Sequence, residues 1–185
     1  MARKKREPTC ADLTKALEGY RKAEAAIDDL LFARLGGRIQ QQGYVGPDDL
    51  YLIALWKSVP AEALKHARGA LLTNTPKEIE DTSRRALSLV EHDSSTDAAV
   101  EAVRELDELH HMGIPIASTI LTLFDPTRFG AVDPSAWKTL GWPYDRDEWE
   151  PEDYGRYLVR IREMAEKCGL TPREVEAALH WIGSK

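Results

Sequence analysis

The strongest fold signals of this chain are concentrated in residues 109–140, LHHMGIPIASTILTLFDPTRFGAVDPSAWKTL. Gly113 predicts a tight turn, because glycine adopts positive φ without steric cost. The apolar run that follows indicates a buried helix, which ends at Asp125 before a proline. Asp133 is also followed by proline and predicts the start of a short helix, because aspartate caps free amides and proline fits the first turn. The stretch therefore predicts a helical hairpin followed by a loop that presents an aspartate.

Helical periodicity extends through most of the remaining chain. Apolar residues recur at helical spacing from Cys10 to Leu35, where two glycines predict the helix end, and residues 38–46 read as a polar loop. Capping boxes begin at Thr75 and Thr171, each with proline at the first helical position. Further helix starts are predicted at Pro47, Pro60, Asp97, Ile114, Pro134 and Pro151. No segment of useful length alternates with period two, so the predicted fold class is all-α.

Length and charge restrict the class of protein. The 185 residues fit one domain, which we divide into a basic disordered arm (1–9), an N-terminal helix and loop (10–46) and a helical domain (47–185). The net charge of −6 argues against a broad nucleic-acid surface, because phosphate contacts need Lys and Arg. Cys10 and Cys168 are far apart and lack metal-ligand spacing, which favours a reduced, cytoplasmic protein. No apolar run has the length of a membrane span, so we expect no membrane partner.

Two features of residues 109–140 could carry function. The amides that follow Gly113 lie at the positive end of a helix dipole and could bind a phosphate without side-chain charge. An ordinary helix connection explains the same turn. The carboxylate of Asp133, held at a helix start, could stabilise a developing positive charge or orient water. A plain helix cap explains the same aspartate, and the two roles do not exclude each other.

Residues 109–140 resemble the helix-hairpin-helix DNA glycosylases, including their 8-oxoguanine branch. The hairpin of that superfamily reads approximately Leu-Pro-Gly-Val-Gly-x-Lys-x-Ala, followed by Val-Asp at the spacing found here. Gly113 matches the second hairpin glycine, Ala117 the small packing residue and Asp133 the catalytic aspartate. His111 replaces the first hairpin glycine. Pro115 replaces the lysine of the bifunctional enzymes and has no amine to form a Schiff base.

The resemblance implies a glycosylase-like helical domain over residues 47–185 with an N-terminal helical extension. It implies a base-excision-repair hydrolase that binds double-stranded DNA with a modified base, is monofunctional and has no lyase step. It implies Asp133 as the catalytic residue and DNA contacts from the hairpin: His111, Met112, Gly113, Ile114, Ile116 and Ala117. Trp56, Lys57 and Trp137 are candidates for the base pocket.

No cysteine cluster follows the hairpin, so we expect no iron–sulfur cluster. We also expect no other cofactor, and no metal site, because no third ligand lies near His110 and His111. The alternative is a non-catalytic helix-hairpin-helix module that binds DNA or a protein partner. In a third interpretation the protein is a helical regulator in which Asp133 is only a cap.

Overall fold

A computed structural model describes residues 6–57, 69, 73–144 and 149–185, and this part of the chain is helical without strands. A π-helical segment, Asp29–Gly36, joins the first two α-helices. The α-helices are α1 (Cys10–Asp28), α2 (Gly37–Gln42), α3 (Pro47–Lys57), α4 (Pro76–Glu91), α5 (Thr96–Asp107), α6 (Gly113–Phe124), α7 (Pro134–Thr139), α8 (Pro151–Cys168) and α9 (Pro172–Gly183). The predicted all-α class is confirmed. No helix among the described residues is both long and apolar enough to cross a membrane.

The local helix signals are confirmed. Both predicted capping boxes form at the starts of α4 and α9, where the threonine hydroxyl and the glutamate three residues later exchange hydrogen bonds with each other's backbone amides. These bonds satisfy amides that have no partner within the helix. The end of α8 is formed by Gly169, whose φ of 66° is the left-handed conformation that glycine favours.

The predicted helix end at Gly36 and Gly37 is wrong. Both glycines have a helical φ of −59°, and α2 continues to Gln42 before Gly43 ends it at φ 71°. A Cβ atom on Gly36 would lie 2.6 Å from the carbonyl oxygen of Leu123 in α6. Gly36 therefore serves close packing between helices instead of chain termination. Of the predicted loop at residues 38–46, only residues 43–46 lie outside helices.

Two predicted features lie wholly or partly outside the described residues. They are the helix that begins at Pro60 and the first five residues of the basic arm. The described end of the arm contacts the fold, because Glu7 accepts hydrogen bonds from Arg160 of α8 at 2.5 and 2.7 Å. The domain boundaries proposed from sequence remain a prediction.

The two cysteines are not separate thiols. Cys10 at the start of α1 and Cys168 at the end of α8 form a disulfide. The sequence interpretation failed because residues 158 positions apart carry no local sign of being neighbours. A disulfide is unusual in a reducing compartment, so it does not favour the cytoplasmic location, which stays a prediction.

The core is built around α6, whose side chains are buried from Ile116 to Leu123. Helices α2, α3 and α5 pack around it, and α1 lies across α9. The short helix α7 packs closely on α9, because a Cβ on Gly183 would come within 2.3 Å of the carbonyl oxygen of Ser135. This packing brings the start of α7, with Asp133, against the last turns of α9.

Candidate functional site

Asp133 caps α7, as its sequence context predicts. The residue is extended at φ −146°, and its Oδ1 accepts hydrogen bonds from the amides of Ser135 at 2.8 Å and Ala136 at 3.1 Å. Pro134 occupies the first turn, where no amide donor is needed. The carboxylate is therefore held in one orientation by its own helix.

The loop that carries Asp133 is fixed to the hairpin helix. The amide of Val132 donates to the hydroxyl oxygen of Ser118, in the middle of α6, at 3.1 Å. The Ser118 hydroxyl in turn donates to the carbonyl of Pro115 at 3.1 Å. Both Val132 and Ser118 are fully buried. A chain of hydrogen bonds thus connects the first turn of the hairpin helix to the residue next to Asp133.

A histidine and a lysine from distant helices face the carboxylate. Nδ1 of His180 in α9 lies 3.1 Å from Oδ1 of Asp133, and Nζ of Lys57, at the end of α3, lies 3.9 Å from Oδ2. Burial by itself raises the pKa of Asp133, but the His180 hydrogen bond and the Lys57 charge outweigh it and hold that pKa well below its usual range. The hydrogen bond to Asp133 raises the pKa of His180 against the opposing effect of its burial.

Asp133, Lys57 and His180 line one cavity of about 340 Å³. Its other walls come from α1, from the end of α3 and from α9, and include Tyr20, Glu24, Ile27, Trp56, Arg173, Glu176, Trp181 and Ser184. The lining is mostly charged or polar, and Ile27, Trp56 and Trp181 are its apolar and aromatic members. Two of the three predicted base-pocket residues, Trp56 and Lys57, therefore lie in the same cavity as the predicted catalytic aspartate.

Arg173 forms a rigid part of this cavity wall. Its guanidinium is buried and pairs with Glu176, with Asp28 at 3.0 Å and with the hydroxyl oxygen of Tyr20. The guanidinium also lies over the ring of Phe32 at 4.6 Å. Burial acts to lower the pKa of Arg173, but the charge of Glu176 and its other partners raise it above the ordinary value. Arg173 therefore stays charged and ties α1 and the π-helical segment to α9.

Two residues at the turn into α6 have positive φ. Gly113 has φ 60°, and His111, in the place of the first hairpin glycine, has φ 63°. His111 is the one described residue other than glycine with positive φ, so histidine there adopts a conformation that glycine adopts freely. Asn74 fixes the neighbouring backbone, since its side-chain amide donates to the carbonyl of His110 and accepts from its amide, each at 3.0 Å.

Most of the predicted DNA-contact residues are buried. Only His111 and Gly113 are exposed, whereas the side chains of Met112, Ile114, Ile116 and Ala117 lie in the core. Met112 makes no side-chain hydrogen bond that would cap α6. The hairpin can therefore offer a ligand its backbone amides and the side chain of His111, but not the apolar side chains.

Trp137 does not line the cavity with Asp133. Its ring is 5% exposed and packs against Trp142, Trp149 and Tyr157, at centroid distances of 4.5, 4.9 and 6.4 Å. Its Nε1 donates to the carbonyl of Pro143 at 2.7 Å. Helical spacing puts Trp137 one turn after Asp133, but the side chain points into an aromatic cluster beneath α7.

His180 is the residue of this site that sequence reasoning missed. It lies 47 positions after Asp133, and no motif marks it. The sequence offered one weak signal. Glu176, His180 and Ser184 are four residues apart, and this spacing predicts three polar side chains on one face of α9. No local sequence signal marks Tyr20 or Arg173 either, because their roles depend on α1 crossing α9.

No group of three or more His, Cys, Asp or Glu side chains is arranged to hold a metal ion within the described ranges. The chain matches no protein family, no curated protein and no solved structure. The chemistry of the cavity is therefore the basis for assigning a function.

Proposed function

We propose that this protein is a DNA N-glycosylase that excises a modified base from double-stranded DNA, with Asp133 as its catalytic carboxylate. The observation that carries the proposal is the position of Asp133 in one cavity with Trp56, Lys57 and His180. These residues come from three separate helices, so their meeting is not a consequence of helix capping alone. The hairpin geometry at His111 and Gly113 is consistent with the superfamily resemblance and supports the same proposal.

The cavity has suitable dimensions and chemistry for a base that leaves the helical stack. Its volume of about 340 Å³ lies at the lower end of the range for small-ligand pockets. Trp56 and Trp181 supply aromatic surface on which a planar base can pack, and Ser184 supplies a hydroxyl group for its edge. Which modified base fits best depends on these scattered side chains.

The lowered pKa of Asp133 favours one of its two possible roles. A carboxylate that stays ionised over the neutral range is a weak base, so it is better suited to stabilise positive charge than to remove a proton from water. Breaking an N-glycosidic bond builds positive charge on the sugar, and a fixed carboxylate lowers the energy of that transition state. Because Oδ1 accepts the hydrogen bonds, we assign this role to Oδ2.

We assign the exposed hairpin at Gly113 to the DNA backbone. The first amides of α6 point away from the helix and carry partial positive charge, which suits a phosphate oxygen. This mode of contact needs few Lys or Arg side chains and is compatible with the acidic balance of the chain. His111 at the same turn is the side chain in position to join this contact.

The second candidate is a non-catalytic helix-hairpin-helix module that binds DNA or a protein partner. Two observations favour it. Asp133 caps α7 with two amide hydrogen bonds, a role that would preserve the residue without catalysis. The hairpin also has Pro115 where the bifunctional superfamily members have lysine.

Base release separates the two candidates. Duplexes that each carry one modified base are incubated with the wild type, Asp133→Asn and Asp125→Asn, and alkali is added to cleave at abasic sites. Asparagine is an adequate helix cap, so Asp133→Asn should fold, and we expect it to lose base release by about 100-fold or more. Asp125→Asn is the matched control and should keep it. Absence of release by the wild type, with salt-sensitive duplex binding, would favour the non-catalytic module.

A further inference from the structure

A second depression of the surface shares Trp181 with the Asp133 cavity. It has a volume of about 670 Å³ and lies between α1, the residues just before α1, and the last turn of α9. We call it the α1 groove. Four cationic side chains line it: Arg6, Lys15, Lys22 and Lys185. The groove therefore gathers positive charge beside the proposed active site.

The cations of the α1 groove are available to a ligand. All four are exposed, and none forms an ion pair or a hydrogen bond through its side chain with any residue that the structure describes. Lys185 instead lies over the ring of Trp181, with Nζ 4.1 Å from the ring centre. Arg21, the neighbour of Lys22 on α1, shows the contrast, because it pairs with Glu174 at 2.5 Å and does not line the groove.

The charge of the groove opposes the charge of the whole chain. Two carboxylates, Asp12 and Glu18, also line it. Asp12 is used at the start of α1, where its Oδ2 accepts hydrogen bonds from the amide and the hydroxyl of Thr9 at 2.8 and 2.6 Å. Four cations and two carboxylates leave an excess of two positive charges, in a chain whose net charge is −6. The groove is therefore a local site of attraction for an anion.

The cations are spread out, which suits an extended anion. Lys15 and Lys22 are seven residues apart, so they share a face of α1 at a spacing of about 10 Å along the helix axis. Gly19 lies between them, and a Cβ there would come within 2.6 Å of Nε1 of Trp181, so the ring packs directly on this face. One phosphate is too small to fill such a row, whereas a nucleic-acid strand presents phosphates at regular intervals along it.

We propose that the α1 groove binds the phosphodiester backbone of the DNA strand that flanks the nucleotide in the Asp133 cavity. The identity of that strand rests on the proposed function. Because Trp181 lines both the cavity and the groove, a strand with one nucleotide in the cavity reaches the groove past the same ring. This contact uses side-chain charge and is separate from the amide contact assigned to the hairpin. It gives a role to Arg6, the last cation of the basic arm.

The lining favours nucleic acid over an anionic membrane. A protein that lies on a membrane surface inserts exposed apolar side chains among the lipids. In the α1 groove Ala16 is buried, and the partly exposed ring of Trp181 lies under the Lys185 amine. A positively charged groove with an aromatic side chain is typical of proteins that follow a nucleic-acid strand.

The salt dependence of duplex binding tests the proposal. The probe is a duplex with one tetrahydrofuran abasic-site analogue, and its Kd is measured at several salt concentrations. Lys15→Gln/Lys22→Gln should reduce the slope of log Kd against log salt by about 2 and weaken binding roughly 10- to 100-fold at about 0.1 M salt. Arg21→Gln/Arg104→Gln is the matched control, because it removes the same charge outside the groove and should keep the wild-type slope. Lys15→Arg/Lys22→Arg should also keep it.

Neutral methylphosphonates in the probe locate the contact. Placed singly along one flank of the abasic-site analogue, they should weaken binding by the wild type but not by Lys15→Gln/Lys22→Gln, which has already lost the contact. Melting curves of the variants confirm that they fold, as expected for exposed side chains. Equal salt slopes for the groove variant and the control variant, or wild-type binding to phosphatidylserine vesicles without duplex binding, would overturn the proposal.

The same experiments separate this proposal from the glycosylase proposal. If the wild type releases a base and the groove variant binds duplex with the wild-type slope, the groove proposal fails and the glycosylase proposal stands. If the groove variant loses salt-dependent binding but the wild type releases no base, the glycosylase proposal fails and the phosphate contact of the groove stands.

Discussion

Asp125 and Asp133 have the same local sequence context, since each follows a buried apolar segment and precedes a proline. Their surroundings differ. Asp125 is satisfied within its own turn, because Oδ1 accepts from Thr127 at 3.0 and 2.6 Å and Oδ2 accepts from Arg128 at 2.7 Å. Asp133 uses Oδ1 for its helix cap and His180, whereas Oδ2 faces Lys57 across 3.9 Å without a hydrogen bond to any described residue.

The presence of a neighbouring cavity does not by itself distinguish Asp133 from Asp125 as a candidate functional residue. Asp125 lines a depression of about 640 Å³, which is larger than the cavity of Asp133. The difference lies in how the charge is compensated. An arginine three residues away closes the Asp125 turn, while Lys57 and His180 reach Asp133 from other helices and leave one carboxylate oxygen available to a ligand.

The largest expected effect comes from the disulfide that holds the α1 wall of the Asp133 cavity. A loop closed across 158 positions restricts the unfolded chain strongly, so reduction should lower the free energy of unfolding by about 4 kcal/mol. Urea unfolding with and without reductant measures this change. The Cys10→Ser/Cys168→Ser variant should be insensitive to reductant. Hydrogen exchange should rise in α1 more than in the Asp125 turn, and equal rises in both regions would contradict the comparison.

Alanine at each aspartate tests the comparison directly. Asp133→Ala removes a helix cap and leaves the buried charge of Lys57 without its partner, so we expect a loss of about 2–4 kcal/mol in the free energy of unfolding. Asp125→Ala removes a more exposed carboxylate, whose side chain is 29% exposed, and should cost about 1 kcal/mol. Urea unfolding of both variants measures the difference. Equal losses would mean that Asp133 is an ordinary cap.

The Asp133–His180 pair should make stability depend on pH. The pKa of His180 is raised in the folded protein, so its stabilising contribution is fully present below the unfolded value near 6.5 and is lost as pH rises through the folded pKa. The difference in Tm between the wild type and His180→Gln should therefore be larger at acidic than at alkaline pH. The His180 side chain is 40% exposed, so solvent screening should keep the effect below about 1 kcal/mol.

Asp133 sets the acidic limit of the pH range for that experiment. Its pKa is lowered, so its contribution is present above the unfolded value near 3.8 and is lost as pH falls through the folded pKa. Thermal melts from about pH 5.5 to 9 lie well above this limit and isolate the titration of His180. His92 is 90% exposed, so His92→Gln is the matched control and should show no such pH dependence. A pH-independent difference for His180→Gln would contradict the proposed pair.

The smallest expected effect belongs to the Asp125 turn. Thr127→Val keeps the shape of the side chain but removes the hydroxyl that donates to Asp125 at 2.6 Å. Because the backbone amide of Thr127 and the Arg128 side chain still donate to the carboxylate, we expect a loss of about 0.5 kcal/mol. Base release should not change. A large stability loss would show that Asp125 is as critical to the fold as Asp133.

The sequence by itself determined the elements whose signals are local. The capping boxes at Thr75 and Thr171, the turn at Gly113 and the cap at Asp133 form as predicted, because each is satisfied by hydrogen bonds or dihedral angles within a few residues. The all-α class follows from the same periodicity. The pairing of Trp56 and Lys57 with the aspartate was anticipated only through the superfamily resemblance.

Tertiary structure decided the rest. Gly36 continues a helix because α6 approaches it closely, and the two cysteines pair because the start of α1 lies against the end of α8. His180 reaches Asp133 because α7 packs on α9, and Trp137 packs instead on Trp142, Trp149 and Tyr157. Each of these outcomes depends on the distance between residues far apart in the chain. Spacing along a helix specifies which face a residue occupies, but only packing specifies what that face meets.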